Sequence, residues 1–348
     1  MKEEISSSMN FKVITSFKEI DKDKWNSFVL AHAKGSVFFS YEYFLSLKEC
    51  THYDAVVAAC IDNNTQQLIG ISVAAIQQEH RGLVGLLTSR CIIFGEPLAQ
   101  NDELEIQIEL INAIHLQVKW RVFFTQYRFF EQITEELRKF YLKQGFIYEP
   151  QLNIINDTSI GVDNIWKGIK DSAKRAIKKA QKEEFQFSLS ECESNVNTFY
   201  DLLEVFYKQK KLPYPKLPYF FALKKNLSHS IFRIFELKYY QKIVVTALTF
   251  KWNDTLFAYY LANETSPELL KQRPMDLFCW EILKWCSENG IKHFNWMGAG
   301  KKNKDYGVRD FKLKFGGMLY EPGRMTKYTS FIVRDSYKLL LKIWGKTN

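Results

Sequence analysis

The sequence lacks any long hydrophobic run. A helix that spans a membrane needs about 20 consecutive apolar residues, and stretches such as residues 54–61 and 110–118 are short and interrupted. Residues 1–10 are polar and do not contain the apolar centre of a secretory signal. We therefore expect a soluble, cytoplasmic protein without a transmembrane segment, for which peripheral contact with a membrane stays open.

Cysteines and the common catalytic motifs are also sparse. The six cysteines form no C-x-x-C pair and have no histidine partner at metal-ligand spacing; they are Cys50, Cys60, Cys91, Cys192, Cys279 and Cys286. Neither a disulfide framework nor a metal site is predicted. The chain contains no G-x-S-x-G elbow, Walker loop, H-E-x-x-H pair or dinucleotide fingerprint after a strand. The serine-hydrolase, P-loop, zinc-protease and dinucleotide-binding classes therefore find no support.

The chain does contain enough apolar and aromatic material for two cores. It has 348 residues, of which 46% are hydrophobic, 25% charged and 16% aromatic, and a domain typically takes about 100 to 200 residues. Short apolar strands alternate with helical stretches from residue 11 to about residue 156, and the same kind of order begins again near residue 161. We predict an α+β protein of two domains, residues 1–157 and 158–324, each with a mixed sheet flanked by helices.

The net charge of +9 is concentrated in three clusters, the first on a helix predicted over residues 164–184. Its apolar side chains share one third of the helical wheel. The other faces carry Lys167, Lys170, Lys174, Arg175, Lys178, Lys179 and Lys182. Such a surface is either a solvated basic face or a cradle for the phosphates of a nucleotide-linked substrate, coenzyme A or RNA. Lys174 and Arg175 are the candidate binding residues.

The second cluster lies in a glycine-flanked run near the C-terminal end. Lysines and apolar side chains alternate over residues 311–315, which favours a strand with Lys312 and Lys314 on one face and the phenylalanines on the other. The lysines would then line a groove or face solvent. Tyr306 and Arg309 are candidate substrate-binding residues in the same run, because arginine can hold a phosphate or carboxylate with two hydrogen bonds.

The third cluster surrounds the proline-rich segment KLPYPKLP at residues 211–218, which cannot be helical. Lysines and tyrosines interleave there. Loops of this kind often serve as lids or substrate walls, and the alternative is a surface loop with incidental lysines. Lys211 is the candidate binding residue of this cluster.

Several segments spread over nearly the whole chain share their order and spacing with a known family. They are the helix IWKGIKDSAKRAIKKAQKE, the later segment PMDLFCWEILKWCSENGIKHFNWMG and the run YGVRDFKLKFGG. Two N-terminal segments, FFSYEYFLSLKE and IIFGEPLAQND, agree with them. Together they resemble the Fem-type aminoacyltransferases, whose tandem acyltransferase architecture is related to the GNAT superfamily.

The resemblance implies two GNAT-like domains, with the C-terminal segment 325–348 packing back on the first. Family members move an aminoacyl group from aminoacyl-tRNA to an amine of a bacterial peptidoglycan precursor. We therefore expect an acyltransferase that acts on a phosphorylated cell-envelope precursor, without a tightly bound cofactor, and with aminoacyl-tRNA or acyl-CoA as the donor. The glycine-rich acyl-CoA signature of ordinary GNAT enzymes is absent, since KQRPMD stands in its place and Pro274 lacks a backbone N–H.

The same resemblance implies roles for individual residues. Lys312 lies in a segment that matches the family's F-K-x-x-F-G pattern and is the candidate contact for an oxyanion or a terminal phosphate, with Lys314 second. Lys48 matches the lysine that ends the family's second helix, where a phosphate can be held, and Lys211 matches more loosely. Two other hypotheses stay open: a CoA- or carrier-dependent N-acyltransferase on a sugar or lipid amine, and a non-catalytic module that binds nucleic acid or anionic lipid.

Overall fold

The chain divides into two compact units. The computed structural model describes residues 10–78, 85, 88–190 and 195–329. Unit 1 comprises Met1–Glu149 and Arg324–Asn348, and unit 2 comprises Pro150–Gly323. Each unit has its own mixed sheet and its own apolar core.

Unit 1 is built on an eight-stranded sheet. Its strands are β1 (Phe11–Ile14), β2 (Tyr53–Asp62), β3 (Leu68–Gln77), β4 (Arg90–Phe94), β5 (Leu98–Ala99), β6 (Phe124–Arg128), β7 (Ile147–Glu149) and β15 (Arg324–Tyr328). Its helices are α1 (Lys22–Ala31), α2 (Tyr41–Lys48), α3 (Leu104–Val118) and α4 (Glu135–Lys143). The strand order is β1-β2-β3-β4-β6-β15-β7 with β5 beside β3, and among the described strands of unit 1 only β4 and β6 are parallel neighbours.

Local chemistry explains several boundaries in unit 1. Asp21, Ser40 and Thr134 precede three of the helices, and each side chain accepts a hydrogen bond from the backbone N–H three residues later. Gly70 allows α3 to lie directly on β3, because a Cβ atom at this position would stand 2.4 Å from the Ile106 side chain. The amphipathic face of α3 therefore closes the core over the sheet.

Unit 2 is built on a seven-stranded sheet of order β14-β8-β13-β12-β11-β10-β9. Its strands are β8 (Asn153–Asp157), β9 (Phe185–Ser190), β10 (Phe232–Tyr239), β11 (Lys242–Trp252), β12 (Thr255–Asn263), β13 (His293–Asn295) and β14 (Met318–Tyr320). Its helices are α5 (Val162–Gly168), α6 (Asp171–Ala180), α7 (Asn195–Gln209), α8 (Leu217–Asn226), α9 (Pro267–Lys271), α10 (Pro274–Glu288) and α11 (Gly307–Leu313). Among these strands β12 and β13 form the parallel pair, and the other pairs are antiparallel.

Turn and helix signals in the sequence predict several of these elements correctly. The hairpin of β2 and β3 is confirmed. The antiparallel set β10, β11 and β12 is confirmed as well. Helix α10 begins at Pro274, whose fixed φ suits the first helical position. Five cysteines are free and buried, and Cys192 lies outside the described residues.

Two predicted elements are wrong. The helix over residues 164–184 is broken into α5 and α6, because Ile169 and Lys170 between them are extended, with ψ of 135° and 145°. Residues 311–315 do not form a strand, since α11 runs through Leu313. Phe311 and Phe315 are also four residues apart, which is the spacing of neighbours on a helix, so the run suited both periods.

The division between the units differs from the predicted one at residue 157. β8 pairs with β13 and β14, so residues 150–157 belong to unit 2. After unit 2 the chain returns to unit 1, where β15 lies between β6 and β7. The boundary between the units therefore follows from hydrogen bonding between strands, which the pattern of apolar residues does not reveal.

Candidate active site in the second unit

The parallel strands of unit 2 part at the centre of its sheet. β12 and β13 pair only over three positions, from Thr255 with His293 to Phe257 with Asn295. β12 then continues to Asn263, whereas the chain after β13 turns away through Met297 and Gly298, which have φ of 59° and 124°. No other described strand pairs with residues 258–263 on that edge. Ligands of open sheets bind where parallel strands part at their carboxyl ends.

A bulge in β12 lies at the same place. Leu248 of β11 pairs with Tyr260 and the next residue, Thr249, pairs with Ala258, so Tyr259 is the extra residue. Bulges bend a strand and redirect its side chains, and they are frequent beside functional sites. Residues 258–261 are half-buried, while the residues on either side of them in β12 are buried. The parting of the strands and the bulge together make the edge of β12 the candidate substrate crevice.

Lys312 holds the backbone that turns away from this crevice. Its Nζ donates to the carbonyl oxygens of Trp296, at 2.9 Å, and Gly298, at 2.6 Å. Nζ also lies 5.8 Å from the centre of the Trp296 ring. The residue keeps some exposure although its ammonium group is buried, and burial lowers the pKa of Lys312 to about 8. Among the described residues no carboxylate forms an ion pair with it.

Two asparagines of β8 fix the same turn from the other side. Asn153 Oδ1 accepts from the backbone N–H of Gly298 at 3.1 Å. Asn156 Oδ1 accepts from Trp296 Nε1 at 2.7 Å, and its Nδ2 donates to the carbonyl of Phe315 at 2.7 Å. The sequence reasoning missed both residues; their signal was two amide side chains inside an apolar strand. They position the carbonyl groups that Lys312 binds.

Arg309 and Tyr306 hold the loop that leads into α11. The Arg309 guanidinium donates to the carbonyls of Lys301, at 2.9 Å, and Lys304, at 2.7 Å. The Tyr306 ring covers Gly300, where a Cβ atom would stand 2.7 Å from Tyr306 Cδ1. Arg309 was predicted to bind substrate, but its hydrogen bonds go to the protein's own backbone.

The remaining predicted lysines take separate positions. In unit 2 the backbone of Lys314 accepts from Lys170 N at 2.8 Å, so it adjoins the start of α6. Lys174 Nζ donates to the carbonyl of Lys167 at 3.1 Å, and Arg175 and Lys211 are exposed. In unit 1 Lys48 forms an ion pair of 2.6 Å with Asp54, which also binds Arg121. Lys312 and Lys314 thus share α11 and its C-cap, whereas Lys48 belongs to the other unit.

A group of tyrosines surrounds the bulged part of β12. Tyr219 and Tyr259 share a hydrogen bond of 2.6 Å between their hydroxyl groups. The rings of Tyr207 and Tyr260 are 5.9 Å apart. Burial, assisted by the nearby Tyr306, raises the pKa of Tyr207 to about 12. The loop at residues 211–216 and the helices beside it therefore place an aromatic wall next to β12, and the β12 tyrosines are members that the sequence reasoning missed.

The start of α10 does not fit the pyrophosphate of coenzyme A. Pro274 offers no N–H, and the carboxylate of Asp276, in the first helical turn, accepts from its own backbone N–H. Burial raises the pKa of Asp276, and the neighbouring cations Lys314 and Arg273 act against that shift. A cavity of about 240 Å³ beside Gln272 is lined by Glu268 and by Glu264, which pairs with Lys242 of the same lining at 2.6 Å. The carboxylate of Glu268 would repel a polyanion.

The described residues contain no group of three or more His, Cys, Asp or Glu side chains placed to hold a metal ion. In the same part of the chain no helix has the length and apolar character needed to cross a membrane.

Comparison with known proteins agrees with this geometry. Residues 168–312, which include α6, the parting strands and Lys312, match the model of the acetyltransferase (GNAT) domain family. Over these residues the second unit is similar to GNAT domains. No curated protein matches the sequence.

Solved structures extend the likeness to both units of the chain. The structure of FemX superposes with a TM-score of 0.68 at 13% identity and covers 94% of this chain and 99% of FemX. L-PGS from Bacillus licheniformis has a TM-score of 0.54 at 16% identity, with 88% and 91% covered. A tandem GNAT protein from the clavulanic acid biosynthesis pathway has a TM-score of 0.57 at 8% identity, with 92% and 99% covered. The Fem-like tandem GNAT fold and the acyltransferase class are confirmed.

Proposed function

We propose that the protein transfers an aminoacyl group from aminoacyl-tRNA to an amine of a phosphorylated cell-envelope precursor. The observation that carries this proposal is the buried ammonium of Lys312 at the point where β12 and β13 part. The resemblance to the Fem-type aminoacyltransferases supports an envelope precursor as acceptor. A tRNA donor would also agree with the expected cytoplasmic location.

The reaction is an aminolysis that needs no covalent intermediate on the protein. The uncharged acceptor amine attacks the ester carbonyl, the C–O bond to the tRNA ribose breaks, the ribose oxygen leaves with a proton, and the amide nitrogen loses one. Negative charge develops on the carbonyl oxygen during the attack. An ammonium group has three N–H donors. Lys312 uses two on the carbonyls of Trp296 and Gly298, and the third serves the developing oxyanion.

The outer edge of β12 supplies a second part of the site. Beyond Phe257 no other described strand lies along this edge, so an extended, amide-containing substrate can align there as an added strand does. The aromatic wall beside it excludes water and stacks flat groups. Both features support binding of the substrate carbonyl along β12, within reach of Lys312.

The choice of donor rests on the start of α10. Its missing N–H and its carboxylates do not suit a pyrophosphate, so acyl-CoA is the weaker donor. The family match to acetyltransferases keeps a CoA-dependent N-acyltransferase as the second candidate.

A transfer assay with two donors tests the function. The protein is incubated with nucleotide-linked and lipid-linked envelope precursors and with either bulk tRNA charged with radiolabelled amino acids or labelled acetyl-CoA. We expect alkali-stable label on a precursor from charged tRNA and none from acetyl-CoA. Label from acetyl-CoA alone would overturn the donor, and no transfer from either would overturn the function.

A further inference from the structure

The helix α6 and the residues that flank it present a basic face to solvent. Six cations are exposed on it: Lys167, Lys170, Arg175, Lys178, Lys179 and Lys182. None of the six has a carboxylate within ion-pair distance among the described residues. Acids stand only at its ends, where Asp171 contacts Lys174 at 3.9 Å and Glu183 and Glu184 follow the helix. The local field is therefore strongly positive.

The apolar side of α6 is already used by the fold. Ala173, Ile177 and Ala180 are buried in the core of unit 2. A helix that lies on a membrane needs an exposed apolar face to embed between lipids, and α6 has none left. A partner of this face must therefore bind through charge alone, which suits the phosphate backbone of a nucleic acid better than a lipid surface.

The basic face begins beside the candidate active site. Lys170 N donates to the carbonyl of Lys314 at 2.8 Å, and Lys314 is two residues from Lys312. A Cβ atom on Gly316 would stand 2.8 Å from the carbonyl of Gly168, so the two segments touch. The ten residues of α6 extend about 15 Å at 1.5 Å per residue. A duplex of that length carries roughly nine phosphate charges, more than the number of exposed cations.

We propose that this basic face binds the phosphate backbone of an RNA stem, namely the acceptor end of the donor tRNA. The proposal rests on the proposed function, because it places the donor along α6 with its aminoacyl end directed to Lys312. The binding is electrostatic and independent of base sequence.

The test measures tRNA binding as a function of salt. Fluorescence anisotropy with labelled, uncharged bulk tRNA gives Kd at several KCl concentrations for the wild type and for K178Q/K179Q/K182Q. The control is K242Q/K284Q/K292Q, which removes the same charge from lysines of unit 2 that form ion pairs. We expect the slope of log K against log salt to shrink by about 2 in the first variant, since each lost phosphate contact changes it by about 0.7 to 0.9. The control should keep the wild-type slope.

Other outcomes separate the alternatives. Charge changes on the surface have little effect on stability, so both triple variants should melt within a few degrees of the wild type. An unchanged tRNA slope in K178Q/K179Q/K182Q would overturn the proposal, and so would unchanged tRNA binding together with lost binding to phosphatidylglycerol vesicles. Transfer from charged tRNA that is insensitive to this variant would refute the basic face but keep the function. Binding of tRNA through α6 without any transfer would refute the proposed function but keep the proposed role of the basic face.

Discussion

Replacing Lys312 by methionine should abolish most catalysis and leave the fold intact. Methionine keeps an unbranched side chain but offers no hydrogen-bond donor and no charge. A single preorganised contact to an oxyanion is worth about 3 to 4 kcal/mol. We therefore expect kcat to fall roughly 100- to 1000-fold, with little change in KM, because the contact strengthens only as charge develops.

The expected change in stability follows from the pKa of this lysine. In the folded protein the pKa of Lys312 is about 8 against an ordinary 10.5, and a pKa shift of one unit corresponds to about 1.4 kcal/mol. The buried charge therefore costs about 3 kcal/mol at neutral pH. Methionine removes this cost but leaves the carbonyls of Trp296 and Gly298 without their donor, at about 1 to 3 kcal/mol each. The two effects oppose each other, so the free energy of unfolding should change by less than about 3 kcal/mol.

The pH dependence has a definite sign. Between pH 8 and 10.5 the unfolded chain keeps a proton on Lys312 that the folded protein has released. The free energy of unfolding of the wild type should therefore rise with pH in this window, relative to Lys312→Met, by up to about 3 kcal/mol. The turnover number of the wild type should fall over the same range because the cation is lost.

The assay combines transfer kinetics with urea unfolding at several pH values, and Lys314→Met serves as the control because Lys314 does not bind the two carbonyls. A Lys312→Met protein that kept its kcat and raised only KM would make Lys312 a ground-state contact and refute the reasoning. Equal losses of kcat in both variants would refute the assignment to Lys312.

Three further changes test the supporting structure. Gly316→Ala should lower the free energy of unfolding by roughly 1 to 3 kcal/mol, because φ is +78° and the added Cβ atom would meet the carbonyl of Gly168. The calorimetric control is Gly168→Ala, whose Cβ atom would meet no other atom within 4 Å. Equal losses of stability in the two variants would contradict the argument. Arg309→Lys cannot hold both loop carbonyls, so hydrogen exchange of residues 299–306 should accelerate and KM should rise; unchanged exchange would show that the loop does not need the arginine. Burial favours a raised pKa for Asp54, but hydrogen bonds from Lys48 and Arg121 hold this pKa below its ordinary value. The difference in free energy of unfolding between wild type and Asp54→Asn, measured in urea, should therefore be present near neutral pH and shrink below about pH 4. A difference that is constant with pH would exclude the ion pairs as its source.

The sequence predicts the elements whose period and turn chemistry are unambiguous. Alternation and turn residues define the hairpins of β2 with β3 and of β11 with β12. Proline and Asn-Gly define the two ends of α10. Prediction from the sequence fails where one residue pattern is compatible with two kinds of secondary structure. Residues 311–315 alternate as a strand does, yet they also have helical spacing, and the apolar stripe of residues 165–180 continues across the break between α5 and α6.

The sequence by itself determined that this is a two-domain α+β protein with basic clusters, and the family resemblance identified Lys312. Only the tertiary structure decided what Lys312 touches: two carbonyls, 14 and 16 residues away, in a turn that Asn153 and Asn156 hold from β8. It also decided that Arg309 donates to two carbonyls of its own loop and that, among the described residues, no carboxylate pairs with the six exposed cations of the basic face. Hydrophobic patterns record which side chains are buried, because burial has a period along the chain. They do not record which distant backbone groups meet, because those contacts depend on how the strands pair and part.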